Sequence, residues 1–133
     1  MYFLALQAET YGKAGQREEG LTVLAEALTA VEETGMHLYE PELYRLKGEF
    51  LLALAPEKHA EPEACFRQAL LTAHQQDAKS LELRAVLSLS RLYHQQGKEE
   101  EARRMLAEIY GWFTEGFDTA DLQEAKALLE VIS

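Results

Sequence analysis

The side chains in this sequence that could carry covalent, acid–base or metal chemistry are four histidines, one cysteine, a few serines and a run of glutamates. His37, His59, His74 and His94 share no metal-ligand spacing with one another or with Cys65, so no metal is expected. Cys65 precedes Phe66 on a segment that reads as core-facing helix, and no His is placed to take its proton. A buried, unreactive thiol is expected there. Ser80, Ser88 and Ser90 lie outside any Gly-x-Ser-x-Gly turn. Ser80 suits the first turn of a helix, and Ser90 reads as a small packing residue. Glu99, Glu100 and Glu101 stand at a helix start, where acids complement the helix dipole. No constellation supports catalysis, so an enzyme is not expected, nor is a cofactor.

What is left is a pattern of charged, aromatic and small residues at regular steps, which needs elements to hold it. The 133 residues are 47% hydrophobic and 27% charged, enough for one domain with a core. A net charge of -10 argues against nucleic acid and against anionic membranes as partners. The acids concentrate in residues 1–40 and 115–133, and such ends are expected simply to be solvated. A single cysteine suits a cytoplasmic protein, and MYFLALQAET resembles neither a signal peptide nor a membrane span.

Ala, Leu, Glu, Gln, Lys and Arg dominate, and apolar residues recur at three and four, as in Leu21, Leu24, Leu28 and Val31. Gly12, Gly15 and Gly20, then Gly35 with Pro41, Pro56 with Pro62, Gly97, and Gly111 with Gly116 punctuate the pattern. Helices are predicted near 1–14, 17–34, 39–55, 61–77, 79–96, 98–113 and 119–132. The short connections imply antiparallel neighbours.

The segments also resemble each other. In AETYGKAGQREEGLTVLAEAL and SRLYHQQGKEEEARRMLAEIY, Tyr11 and Gly15 match Tyr93 and Gly97, and Leu24 matches Leu106. The middle copy, GEFLLALAPEKHAEPEACFRQAL, puts Phe66 at the Leu24 place. Each first helix carries a small residue (Ala8, Gly48, Ser90), faced on the second helix by Ala27, Ala69 and Ile109, at separations of 19, 21 and 19 residues. The next first helix follows 21 residues later both times, so the repeat is 40 to 42 residues long. Variation confined to the APEKHAEP connection is what stacked helix pairs produce.

These residues resemble the tetratricopeptide repeat in its longer form, with about 40 residues per unit. The resemblance rests on Ala8 and Tyr11, Tyr44 and Gly48, Ser90 and Tyr93, the turn glycines Gly15 and Gly97, and Ala27 and Ala102. Gln7 and Lys47 depart from it where Leu is usual, as do Gly20 and Pro62 where Ala is usual, and the large Ile109. KSLELRAVLSLSRLYHQQGK followed by YGWFTEGFDTADLQEAKALLE is further similar to the C-terminal helical region of large bacterial signalling proteins. Those join a nucleotide-cyclase-like or DNA-binding output domain to a STAND-type ATPase. The chain itself has no GxxxxGK[ST] loop. The resemblance implies an all-α fold: an α-solenoid of three TPR-like antiparallel helix pairs and a C-terminal capping helix. Its units are repeat 1 at about 1–37, repeat 2 at 38–78, repeat 3 at 79–116 and the cap at 119–132.

In such a stack the first helices line one face. Its outward stripe, six and three before and one and four after the small residue, selects Tyr2, Ala5, Glu9 and Gly12, then Glu42, Arg45, Glu49 and Leu52, then Arg84, Leu87, Arg91 and His94. The stripe runs from acidic through mixed to basic. It is either plain solvated surface or a site for a protein or peptide, Arg being suited to grip carboxylates. With no Asn in the chain, the likeness does not extend to repeats that clamp a terminal carboxylate with Asn and Lys. Trp112, Phe113 and Phe117 are expected to seat the last helix on the third pair, rather than form an exposed hot spot. That helix should bury Leu122, Ala125, Leu128 and Leu129 and turn Asp121, Glu124 and Glu130 to solvent. Tyr2, Phe3 and Leu6 lie where a preceding repeat would cover them. The expectation is a fragment with an open N-terminal edge, which a second copy could cover in a two-fold dimer. The function expected is a non-enzymatic protein–protein or intramolecular domain–domain interaction module of a larger bacterial regulator. The alternative is its small-ligand sensor domain.

Overall fold

The computed structural model describes residues 17–113 and 120–132. The predicted helix over 1–14, with Ala8, Tyr11 and the N-terminal edge, lies outside the described residues, as does Phe117. The described residues form six helices and no strand: α1 (Arg17–Thr34), α2 (Glu40–Leu54), α3 (Ala60–Gln75), α4 (Lys79–Gln95), α5 (Glu99–Trp112) and α6 (Ala120–Ile132). The chain is all-α. None of these helices is long and apolar enough to cross a membrane.

Local chemistry fixes the ends. Pro41 and Pro62 sit in the first turns of α2 and α3, where the missing N–H would have no intrahelical acceptor. The sequences HQQD and HQQG close α3 and α4 in the same way. Asp77 and Gly97 take positive φ of 54° and 80°. In α3, Ala78 N donates to Ala73 O at 2.9 Å and Asp77 N to His74 O at 3.1 Å. In α4, Lys98 N donates to Tyr93 O at 2.8 Å and Gly97 N to His94 O at 3.1 Å. Both are Schellman closures, which satisfy the last carbonyls of a helix and turn the chain sharply.

Each helix packs on the next in sequence, and α4 additionally packs on α2 and on α6. The sequence-read small residues are at these contacts. A Cβ on Gly48 would lie 2.5 Å from Phe66 Cε1, so α2 meets α3 closely enough to exclude any side chain. The fully buried Ser90 Oγ donates to Ala102 O at 3.5 Å, bringing α4 onto α5. Gly20, grouped with a turn in the sequence, instead lies within α1, where a Cβ would come 2.5 Å from Phe50 Cε2.

Two apolar clusters result. Leu24, Ala27 and Val31 pack with Leu43, Leu46 and Phe50 between α1 and α2. Phe66, Leu83, Leu89, Tyr93, Leu106, Leu122 and Ile132 are among those joining α3 to α6. Phe66 and Tyr93, with 0% and 1% of their surface exposed, each contribute about 2–3 kcal/mol. The connections are tied as well. Gln76 Nε2 donates to His37 O at 2.6 Å, and Gln96 Nε2 donates to His59 Nδ1 at 3.1 Å.

A charged cleft across α2, α4 and α6

Because α2, α4 and α6 touch in turn, residues three and four apart on α2 and α4 come to line one open cleft of about 350 Å³. Leu46 and Leu87 are buried along it. Arg45, Glu49, Arg84 and Arg91 surround them, and α6 adds Asp121 and Glu124.

Glu42 organises the deeper end. It accepts from Arg45 Nε at 2.7 Å and from Arg45 Nη2 at 3.0 Å, a bidentate pair one turn apart on α2. Glu42 Oε2 also accepts from Arg84 Nη1 at 2.6 Å. Arg84 Nε reaches on to Asp121 Oδ2 at 2.8 Å. The network therefore runs from α2 through α4 to α6. Arg45 Nη1 lies 3.5 Å from Ser88 Oγ, the far limit of a hydrogen bond. At the outer end Arg91 Nη2 donates to Glu124 Oε1.

Burial alone would push the Glu42 carboxyl up, but Arg45 and then Arg84 outweigh it and hold it below the usual carboxylate range. Burial would likewise lower Arg45, and Glu42 more than compensates. Arg84 is held more firmly protonated, first by its bond to Asp121 and then, against partial burial, by Glu42. Glu42, Arg45 and Arg84 thus hold one another ionised, their mutual attraction offsetting the cost of taking them out of water.

Six of the stripe residues, Glu42, Arg45, Glu49, Arg84, Leu87 and Arg91, come together at this cleft. His94 does not join them. It turns to the start of α5, where Nδ1 lies 3.1 Å from Glu99 Oε1 without hydrogen-bond alignment. Leu52 packs against the larger apolar cluster. Tyr2, Ala5, Glu9 and Gly12 lie outside the described residues.

Two further features differ from the sequence reading. Asp121 and Glu124 are not plain solvated surface on α6, because they neutralise Arg84 and Arg91. The signal was their spacing of three residues beside Leu122 and Ala125, which are buried with 3% and 0% exposed. The second is Trp112, which is not core. It is 56% exposed at the end of α5, while Phe113 packs against the larger cluster. Cys65 is buried, and burial pushes its thiol up, away from the reactive thiolate.

No family model, no curated protein and no solved structure matches this chain.

Proposed function

We propose that this chain is a non-enzymatic interaction module: an α-solenoid of TPR-like helix pairs from a larger bacterial regulatory protein, acting in the cytoplasm. It holds a protein segment, or a neighbouring domain of the same protein, on the face made by α2, α4 and α6. The observation that carries this reading is the convergence of Arg45, Glu49, Arg84 and Arg91 from two successive first helices into one cleft. A helix bearing acids already seats there, since Asp121 and Glu124 of α6 meet Arg84 and Arg91. The face therefore has the chemistry to receive a carboxylate-bearing segment.

Arg84 is committed to two carboxylates, Glu42 and Asp121, so the groups available to a partner are the half-buried Arg91, whose single carboxylate Glu124 is itself exposed, and Glu49. Arg91 exchanges Glu124 for a partner's acid, and Glu49 meets a partner's Lys or Arg. The preferred segment is polar and carries both signs. The open form of the cleft supports a binding groove over an enclosed small-ligand sensor site.

The experiment is selection of short random peptides displayed on phage against the immobilised chain. Charge-bearing peptides should be enriched. They should bind less well as salt rises and be lost in Arg91→Glu and in Glu49→Lys, with helix content by circular dichroism unchanged. Failure to enrich any peptide, or binding indifferent to both substitutions, contradicts the proposal.

A further inference from the structure

A second cleft, on the opposite side of α4, is apolar. α3 and α5 both pack on α4 but not on each other. The gap between them, about 490 Å³, is lined by Leu70, Leu71, Val86, Met105, Ile109 and Trp112. Its walls, Arg67 to His74 on α3 and Met105 to Trp112 on α5, each span two helical turns, about 10 Å.

Leu71 and Trp112 are 49% and 56% exposed, an unusual use of large apolar side chains unless they meet something. Trp112 is also held in place. Phe113 meets its ring edge-on with centroids 5.1 Å apart, and Lys79 Nζ lies 5.4 Å from its centroid. A rigid, half-exposed Trp beside an apolar groove is the usual anchor of a protein interface.

The charges on the rim say what sort of partner fits. Every cation there is already engaged. Arg67 pairs with Glu63 at 3.1 Å and donates to Tyr93 Oη. Lys79 pairs with Glu82 at 3.3 Å, and His74 lies 3.5 Å from the same carboxylate. Among the described residues, Glu108 is the rim charge with no hydrogen bond or ion pair. The net charge of -10 adds a long-range preference of the same sign and opposes a second copy of this chain.

We infer that the cleft between α3 and α5 docks an amphipathic helix of a partner protein, whose apolar face meets Leu71, Met105 and Trp112 and whose Lys or Arg meets Glu108. This face is separate from the charged cleft and does not depend on it.

The chain's single tryptophan, Trp112, reports occupancy directly. The probe is a synthetic amphipathic helix of Leu and Lys without Trp, titrated at physiological salt, with its Leu–Glu counterpart as control. The Leu–Lys helix should shift the Trp112 emission to the blue and the Leu–Glu helix should not. Glu108→Lys should weaken the Leu–Lys helix about tenfold and Leu71→Ser should abolish its effect, while Arg91→Glu leaves it unchanged. Both altered side chains are exposed, and circular dichroism checks that the variants fold. No emission change, equal binding of the two probes, or binding indifferent to Leu71→Ser and Glu108→Lys would overturn the inference. So would a blue shift produced only by a small apolar dye, which would assign the cleft to a small ligand.

Discussion

Arg84 on α4 donates to Glu42 on α2 at 2.6 Å, and the two residues stand at the same offset in their helices, six positions before Ser90 and Gly48. Equivalent positions that carry opposite charges therefore face each other across the α2–α4 contact.

Glu42 serves both Arg45 and Arg84 with its side chain only 10% exposed. Glu42→Gln leaves two guanidiniums without their common carboxylate and should cost about 3 kcal/mol, read by urea unfolding at neutral pH. The pH dependence has a defined sign. The folded Glu42 carboxyl is held below its ordinary value of 4.5, so its contribution is fully present above about 4.5 and is lost as pH falls through the lower folded value. Glu42→Gln should show a shallower loss of stability over that acid range than the wild type. An identical acid profile in the two proteins would place the titration elsewhere.

The Arg91–Glu124 pair makes a contrasting case. Its side chains are 38% and 51% exposed, so water and salt screen it. Arg91→Ala and Glu124→Ala should each cost under about 1 kcal/mol, and less at high salt. Thermal melts at low and high salt distinguish this from a buried pair.

Gly48 should tolerate no side chain. Gly48→Leu forces Phe66 from its place and should lower stability by about 1–3 kcal/mol. Gly111, where a Cβ would meet nothing within 4 Å, is the control. Gly111→Ala should be neutral or stabilising by up to about 1 kcal/mol. Equal melting temperatures for Gly48→Leu and wild type would mean that α2 and α3 are not in close contact there.

Asp77 closes α3 at a φ of 54°, where Gly97 closes α4 at 80°. Asp77→Gly relieves the steric cost of a left-handed residue and should raise stability by about 0.5–1 kcal/mol. A drop in chemical-denaturation midpoint would show that the Asp77 side chain contributes more than its backbone strain costs.

The helices were legible because their ends are written in local chemistry: Gly35 after α1, Pro41 inside α2, Pro62 inside α3 and Gly97 after α4. The Glu42–Arg45–Glu49 and Arg84–Arg91 stripe was legible because it follows from helical period and repeat register alone. Asp121 and Glu124 were not, because the rotation with which α6 docks depends on how Leu122, Ala125 and Ile132 fit α4 and α5, and no repeat copy sets it. Trp112 was misread for a related reason. The core stripe of α5 runs through Ala102, Leu106, Ile109 and Phe113, and Trp112 stands on its flank. Aromatic clustering in the sequence hides which ring turns inward.

The packing of α2 on α4 is tested most directly by a double-mutant cycle on Glu42→Gln and Arg84→Met, measured by urea unfolding at neutral pH. Equivalent positions facing each other predict a coupling of about 1 kcal/mol or more between the two substitutions. Strictly additive effects would mean that Glu42 and Arg84 do not meet, and that α2 and α4 are not stacked in this register.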